Sequence, residues 1–269
     1  MGLPVSPTSP AAYLLDLDGT LYAGGAAIPG AVDLVARLRA ARTPFRLVTN
    51  TTSRSRRLLV ERLRGYGFEV DPGEIFSATL AGVALARSAG YSRVAPFVPA
   101  AALEDMTELD LIGGTFGKPD ETQPAPPAAV IVGDLGEHWT YALLQEAFEY
   151  LMGGAGLIAL SRDRYWLQGD RLALDAGPFV AALEFATGIT ASVAGKPSPA
   201  FFAAALDSLG MSDPARAAMV GDDLWSDVQG AQRAGLQGWL VRTGKFREEV
   251  LQSSSVIPDR ILPSVADLV

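Results

Sequence analysis

Cysteine is absent from this chain of 269 residues, and histidine occurs once, as His138. The absence of cysteine excludes disulfides, thiolate zinc sites and a cysteine nucleophile, and it favours a reducing compartment. A zinc site built from several imidazoles is excluded as well, and a histidine mechanism would depend on His138 alone. We expect that residue to have a surface or capping role.

Long apolar runs and an excess of positive charge are also missing. No apolar run approaches the ~20 residues that a membrane span needs, and the opening segment MGLPVSPTSP lacks the basic and apolar parts of a signal peptide. We therefore predict a cytoplasmic protein with no membrane partner. The net charge of -8 disfavours nucleic acid as a partner, because proteins that bind phosphate backbones usually carry a basic stripe.

What is present is an alternation of apolar runs of strand length with amphipathic stretches of helix length. It begins with AAYLLDL, PGAVDLVARLRAAR, PFRLVT and SRSRRLLVERLRGYG. It returns near the other end with TASVAG, PAFFAAALDSLG, RAAMVGD, DLWSDVQGAQRAG and LQGWLV. Strands that alternate with helices in this way predict an α/β fold with a parallel sheet.

The residues between these two halves predict an inserted module. They contain strands of their own, AAVIVGD and GLIALS, and a helix, TYALLQEAFEYLM. The predicted organisation is a core in two parts, residues 1–78 and 189–269, with an inserted domain at residues 79–188. We expect the proline-rich loop DETQPAPP to bend within the insert, and the segment MGLPVSPTSP to be a flexible leader.

Two aspartates stand at the end of the first predicted strand, in LLDLDGTLY. Side chains at positions i and i+2 of a strand share a face, so we expect Asp16 and Asp18 to stand together at its carboxyl end. In open α/β sheets, ligands bind at that edge. Taken alone, such a pair is better explained as solvated turn residues, so its meaning depends on what the other strand ends carry.

The second predicted strand ends in Thr49, and Asn50 follows it. A hydroxyl, an amide and helix N-terminal N–H groups at the same sheet edge suit a phosphoryl group. Residues of these types in front of a helix are also common N-caps, and alone they are better explained in that way.

Charged residues follow the remaining strand ends. Lys196, in AGKPSP, stands ahead of a helix and supplies a compact positive charge for an anion. The segment VGDDLWSD contributes Asp222 and Asp223, with Asp227 one helical turn further on. Carboxylates about 4 Å apart repel by about 4 kcal/mol at an effective dielectric constant of about 20, so this cluster needs a cation or raised pKa values. Mg²⁺ suits the site, because it prefers oxygen ligands.

In combination, DLDGT, the strand ending in Thr49, GKPSP and GDDLWSD resemble the four motifs of the haloacid dehalogenase (HAD) superfamily, in order. The resemblance extends over essentially the whole chain. It is closest to the NagD-like subfamily, including the phospholysine phosphohistidine inorganic pyrophosphate phosphatase type, and is supported by RYWLQGDRLALDAGPFVAALEFATG, GKPSPAFF and GAQRAG with VRTGKF. It implies a Rossmann-like parallel sheet core, the HAD fold, with an inserted α/β cap domain of C2 type.

The resemblance also implies a role for each aspartate of the first motif. Asp16 would attack phosphorus, and Asp18 would protonate the leaving group and later activate water. Magnesium would be held by the Asp16 carboxylate, the Asp18 backbone carbonyl and Asp222. Some relatives replace the second aspartate of this motif, so the presence of Asp18 favours an active hydrolase.

The remaining roles concern the phosphoryl group and its surroundings. The resemblance implies that the phosphoryl oxygens are held by Thr49, Asn50 and Lys196. Lys118 also lies in a GKP tripeptide, but a proline-rich loop follows it, so we assign catalysis to Lys196. Either Asp223 or Asp227 would orient Lys196 or metal-bound water without binding the metal itself. The sequence does not choose between these two aspartates.

The inserted cap would close over the site, exclude water from the intermediate and recognise the leaving group of the substrate. Arg162, Arg164 and Tyr165, with Trp166, follow GLIALS and are candidate substrate contacts, the alternative being a plain surface position. A homodimer that forms through the cap is a further expectation from the resemblance.

The predicted activity is that of a Mg²⁺-dependent phosphatase acting on a small phosphorylated metabolite through an aspartyl-phosphate on Asp16. A phosphotransferase or phosphomutase would share that intermediate. A phospho-receiver module would share the aspartates, threonine and lysine at a sheet edge, but receivers are shorter and lack an inserted cap. A scaffold without turnover is disfavoured by the complete motif set. The physiological substrate is not readable from the sequence.

Overall fold

The computed structural model describes residues 9–117, 125–168 and 171–268. Residues 1–8 of the expected leader, Lys118 and residues 120–124 of the proline-rich loop lie outside these ranges. The chain divides into two units. The first unit comprises Met1–Thr49, Val60–Phe76 and Lys196–Val269, and the second comprises Asn50–Leu59 and Ser77–Gly195.

The strands of the described residues follow in chain order. They are β1 Ala12–Asp16, β2 Tyr22–Ala23, β3 Ala26–Ala27, β4 Phe45–Thr49, β5 Ile75–Ser77, β6 Arg93–Phe97, β7 Asp110–Leu111, β8 Ala129–Val132, β9 Gly156–Ala159, β10 Tyr165–Gln168, β11 Arg171–Leu174, β12 Ser192–Val193, β13 Ala217–Gly221, β14 Gln237–Val241 and β15 Arg260–Leu262.

The α-helices of the same residues are α1 Ala31–Ala40, α2 Arg56–Gly65, α3 Ala78–Ser88, α4 Ala100–Leu103, α5 Tyr141–Met152, α6 Ala176–Thr187, α7 Pro199–Asp207, α8 Gly230–Arg233 and α9 Glu248–Ser253. Short 3-10 turns connect several of these elements. Among the described helices, none combines the length and the apolar character that crossing a membrane requires.

The first unit is built around a six-stranded sheet with the order β15-β14-β13-β1-β4-β5. The ladders that join β15 to β14, β14 to β13, β13 to β1 and β1 to β4 are parallel. Strand β1 therefore lies between β4 and β13, and the carboxyl ends of these three strands meet at one edge of the sheet. The predicted α/β fold with a parallel core sheet is confirmed.

Apolar runs form the central strands because both faces of the sheet are covered. Every residue of β1 and of β13 is buried. Helix α1 buries Leu34, Val35 and Leu38, which recur at helical spacing. Helix α7 starts at Pro199 and ends at Asp207, and the chain turns at Gly210, whose φ of 67° lies in the left-handed region.

The second unit has its own five-stranded parallel sheet, with the order β12-β9-β8-β6-β7. Helices α5 and α6 supply apolar side chains to the core that covers it. Within that core the Trp139 ring stacks between Phe97 and Phe179, with centroid distances of 5.8 Å and 4.9 Å. An antiparallel hairpin, β10 with β11, precedes α6. An inserted α/β module was predicted from AAVIVGD and GLIALS, which form β8 and β9.

One predicted core strand joins the other sheet. The alternation assigns TASVAG to the core, but its strand, β12, pairs with β9 in the second unit. This assignment was wrong because a short apolar run does not indicate which of two parallel sheets it extends. The second unit therefore continues to Gly195. The boundaries of a functional cap at residues 79 and 188 stay a prediction.

A π-helix replaces the first half of the helix that was predicted from DLWSDVQGAQRAG. It spans Leu224–Gln229, and α8 continues it. Asp223 caps it, because its Oδ1 accepts the N–H groups of Trp225 at 3.0 Å and Ser226 at 2.9 Å. The Val228 N–H donates to the Asp223 carbonyl, five residues back, at 3.2 Å. Such wide turns are frequent at functional sites.

Truncation of a core side chain tests the packing of the first unit. Leu47, in β4, has no exposed surface, so Leu47→Ala should lower the free energy of unfolding by about 3 kcal/mol. Ile257 belongs to the same unit and is 79% exposed, so Ile257→Ala should change the free energy of unfolding by less than about 0.5 kcal/mol. Chemical denaturation followed by circular dichroism measures both, and equal effects would contradict the assigned core.

Candidate active site

The candidate site lies at the carboxyl edge of the first unit's sheet, where three neighbouring strands end. Asp16 is the last residue of β1, Thr49 is the last residue of β4, and Asp222 follows β13 directly. The β1–β4 ladder pairs Asp16 with Val48, which brings the ends of these two strands level. The buried strands thus place side chains of the first, second and fourth sequence motifs at one edge.

Three buried carboxylates converge there. One oxygen from each of Asp16, Asp222 and Asp227 lies within 4.8 Å of the others. Burial raises the pKa of Asp16 well above its ordinary value; Lys196 opposes this shift, and the charges of Asp227 and Asp222 add to it. Burial, followed by the charge of Asp227, raises the pKa of Asp222 to about 6. Both shifts come mainly from burial, and the repulsion between the carboxylates adds to them.

Lys196 supplies part of that charge. Its Nζ donates to Asp16 Oδ1 at 2.5 Å and to Asp227 Oδ1 at 2.7 Å. Burial opposes the charged form of Lys196, but the two carboxylates raise its pKa above the ordinary value, so the side chain is an ammonium. Three carboxylates and one ammonium sum to two negative charges, which one divalent cation would balance. This donor set suits a hard cation with oxygen ligands.

Asp223 and Asp227 have different contacts, although the sequence does not choose between them. Asp227 is buried, and its Oδ2 accepts the Asp223 N–H at 3.1 Å, so both of its oxygens hold N–H donors. Asp223 uses Oδ1 to cap the π-helix and Oδ2 to pair with the exposed Lys245 side chain at 3.2 Å. The aspartate that ion-pairs with Lys196 is therefore Asp227.

Asp18 is exposed, and its side chain accepts a hydrogen bond from a tyrosine of the hairpin β2–β3. The Tyr22 hydroxyl donates to Asp18 Oδ2 at 2.9 Å. Burial and then the charge of Asp18 raise the pKa of Tyr22, so its hydroxyl keeps its proton and acts as the donor.

Asp222 is held by the segment VRTGKF, to which the sequence gives no catalytic role. The Lys245 N–H donates to Asp222 Oδ2 at 2.6 Å, and the Thr243 hydroxyl donates to the Gly19 carbonyl at 2.6 Å. A Cβ at Gly19 would lie 1.9 Å from Asp222 Oδ2, and one at Gly244 would lie 2.0 Å from it. Only glycine fits at these two positions. The available signal was VRTGKF, a glycine just after an apolar strand.

Asn50, the other predicted phosphate ligand, belongs to the second unit. Within that unit a Cβ at Gly195 would lie 2.9 Å from Asn50 Oδ1, 2.3 Å from the Leu160 carbonyl oxygen and 3.4 Å from the Ala78 Cβ. The chain that leads into Lys196 therefore passes Asn50 closely, and glycine is required there.

The candidate substrate contacts of the insert also lie in the second unit. Arg162 forms an ion pair with Glu184 at 2.6 Å, so its charge is already engaged. Arg164 and Tyr165 are exposed, as is His138, which lies in a short 3-10 turn. A surface position was expected for His138, and the contribution of the two arginines and Tyr165 to specificity stays a prediction.

Two family models match the chain. A haloacid dehalogenase-like hydrolase model matches residues 13–112, and a HAD-hydrolase-like model matches residues 193–268. Haloacid dehalogenase-like hydrolase domain-containing protein 2 from Bos taurus is 42% identical over 88% of this chain and 85% of its own length. The phospholysine phosphohistidine inorganic pyrophosphate phosphatase from the same organism is 37% identical over 95% of this chain and 92% of its own length.

Solved structures agree with these matches. NagD from E. coli K-12 superposes with a TM-score of 0.85 at 24% identity over 97% of this chain and 99% of its own, a likeness of fold. A p-nitrophenyl phosphatase from Archaeoglobus fulgidus gives 0.84 at 28% identity, over 97% and 98%. A glycerol phosphate phosphatase from Mycobacterium tuberculosis, in complex with calcium, gives 0.82 at 27% identity, over 96% and 74%.

Replacing Gly244 tests whether the close approach of its backbone holds Asp222. The new methyl group of Gly244→Ala would displace the Asp222 carboxylate, so the affinity for Mg²⁺ should fall by about tenfold or more. Gly210 has a similar φ, 67° against 58°, but open space around it, so Gly210→Ala carries the backbone strain without the clash. Calorimetric titration with Mg²⁺ compares the two variants, and an equal loss in both would contradict the assignment.

Proposed function

Because the chain belongs to the haloacid dehalogenase-like hydrolase family, in its NagD-like branch, we propose that it is a Mg²⁺-dependent phosphatase with Asp16 as its nucleophile. The observation that carries this proposal is the buried array in which Lys196 bridges Asp16 and Asp227 beside Asp222. Relatives and structural neighbours whose names are those of phosphatases support it. The substrate class is a small phosphorylated metabolite.

The residues present suit Mg²⁺. The Asp16 carboxylate, the Asp18 backbone carbonyl and Asp222 would hold the ion, and a structural neighbour that binds calcium supports a divalent cation in this fold. When bound, the ion supplies positive charge that stabilises the transferring phosphoryl group. We assign Asp227 to the orientation of Lys196 rather than to the metal, because both of its oxygens already hold N–H donors.

The residues of the site would carry out two displacements at phosphorus. In the first, an Asp16 oxygen bonds to phosphorus while the bond to the leaving oxygen breaks, and Asp18 gives its proton to that oxygen. In the second, Asp18 takes a proton from water, the water oxygen bonds to phosphorus, and the bond to Asp16 breaks. Phosphate leaves, and both aspartates return to their first state. Lys196, Thr49 and Asn50 would donate to the phosphoryl oxygens throughout.

The second unit would act as the cap. Its exposed side chains, Arg164 and Tyr165 among them, would contact the leaving group, and its closure would exclude water other than the attacking molecule. Arg162 is the weaker candidate, because Glu184 already pairs with it. Dimerisation through the cap stays a prediction.

Loss of the nucleophile should abolish turnover. An amide is not a nucleophile toward phosphorus, so Asp16→Asn should lower kcat by at least about 10³-fold, as should removal of Mg²⁺ by chelation. Asp33→Asn, at an exposed position in α1, makes the same chemical change as a control. Phosphate release from a panel of phosphate monoesters with Mg²⁺ is the measurement.

Two outcomes of that panel would contradict the proposal. One is an Asp16→Asn variant as fast as the parent. The other is conversion of a sugar phosphate into an isomer, or transfer to another acceptor, without release of phosphate, which would indicate a phosphomutase or phosphotransferase. Beryllium trifluoride should form an adduct with Asp16 in the parent and not in the variant.

The same substitution at two nearby aspartates separates their roles. Asp227→Asn weakens the contact that orients Lys196 and should lower kcat by about 10²-fold. Asp223→Asn keeps a side chain that caps helices and removes only an exposed ion pair, so kcat should fall by less than about threefold. Steady-state kinetics with saturating Mg²⁺ measure both. A larger loss at Asp223 would reverse the assignment.

A further inference from the structure

Tyr22 is a buried tyrosine whose hydroxyl reaches the exposed side chain of Asp18, at 2.9 Å from Oδ2. Its backbone is fixed at both polar groups: the N–H donates to the Leu17 carbonyl at 3.2 Å, and the carbonyl accepts the Gly19 N–H at 2.8 Å. The two-stranded pairing of β2 with β3 holds the same residue opposite Ala27. The sequence motifs assigned it no role.

The ring of Tyr22 also has close neighbours. The Tyr66 ring lies 5.2 Å from it, between centroids, and the Arg62 guanidinium carbon lies 4.7 Å from its centroid. Arg62 Nε also donates to the Tyr66 hydroxyl at 3.2 Å. A guanidinium over an aromatic face is an attractive contact, so this arrangement fixes the direction in which the phenol points.

We infer that Tyr22 is the positioning residue of Asp18. An exposed aspartate ordinarily samples several side-chain rotamers, and a hydrogen bond from a fixed donor selects one of them. The phenol holds Oδ2 and thereby leaves the other carboxyl oxygen for proton transfer. Tyr22 itself exchanges no proton with the substrate, because burial and the charge of Asp18 raise the pKa of its phenol, which stays protonated at neutral pH. The inference rests on the proposed function, in which Asp18 is the general acid and base.

The contribution of a general acid is largest where the leaving oxygen is most basic. Tyr22→Phe keeps the ring and removes the hydroxyl. The informative quantity is kcat/KM, because it reports the first displacement, whereas kcat also includes the second, in which Asp18 is the base for every substrate. For an alkyl phosphate, kcat/KM should fall by about tenfold. For p-nitrophenyl phosphate, whose leaving group needs little protonation, kcat/KM should fall by less than about twofold. A merely structural role would lower both rates alike.

A matched control and a double variant make the test specific. Tyr13 is a buried tyrosine of β1 that packs against Trp239 with 5.9 Å between ring centroids, and Tyr13→Phe should leave the ratio of the two rates unchanged. Asp18→Asn should lower kcat/KM for the alkyl phosphate selectively. Adding Tyr22→Phe to Asp18→Asn should change that kcat/KM by less than about twofold, because both act through one proton transfer.

The outcomes separate the inference from the proposed function. Parent enzyme without Mg²⁺-dependent phosphate release overturns the proposed function. If Asp18→Asn shows the selective loss, two results overturn the inference alone. One is an equal loss of both kcat/KM values in Tyr22→Phe. The other is full additivity of Tyr22→Phe and Asp18→Asn in the double variant. Where Tyr22→Phe does not fold, Arg62→Met removes the cation above the ring, and about a threefold selective loss is expected. An unselective change in that variant overturns the inference equally.

Discussion

The ion pairs of Lys196 are the interaction on which the candidate site depends. Two carboxylates, from β1 and from the π-helix, face one buried ammonium, and a third carboxylate stands beside them. Charges removed from water in this way are stable only when each is matched, and a pair that loses one partner leaves the other unmatched. The array is therefore internally strained by an excess of negative charge, and a divalent cation is the simplest means of relieving it.

The glycines around these carboxylates show how closely the backbone packs against them. Gly19 and Gly244 leave no room for a methyl group beside Asp222, and a Cβ at Gly221 would lie 2.1 Å from Asp227 Oδ2. Side chains so enclosed have few rotamers, which is the preorganisation that charge stabilisation in a reaction requires. The acid–base candidate Asp18 is different, because its side chain is exposed and is held by the hydrogen bond from Tyr22.

The sequence predicts most of the parallel α/β fold, because apolar runs of strand length alternate with helical periodicity. It also predicts that Asp16, Thr49 and Asp222 meet, since strand ends share an edge. It does not choose between Asp223 and Asp227, because the wide turn of a π-helix has no signature in apolar spacing. It is silent on Lys245, whose contact with Asp222 is made by a backbone N–H that every residue except proline possesses.

The close approach of Gly195 to Ala78 has a consequence for how this polypeptide assembles. These residues bracket nearly all of the second unit, and a Cβ on the former would touch the Cβ of the latter at 3.4 Å. Lys196 and Asp16 are 180 positions apart along the chain. Closing so long a loop is entropically unfavourable, but an insert that has collapsed with its two ends side by side acts as a short tether. Early formation of the insert would thus bring the interrupted halves of the core within reach of each other.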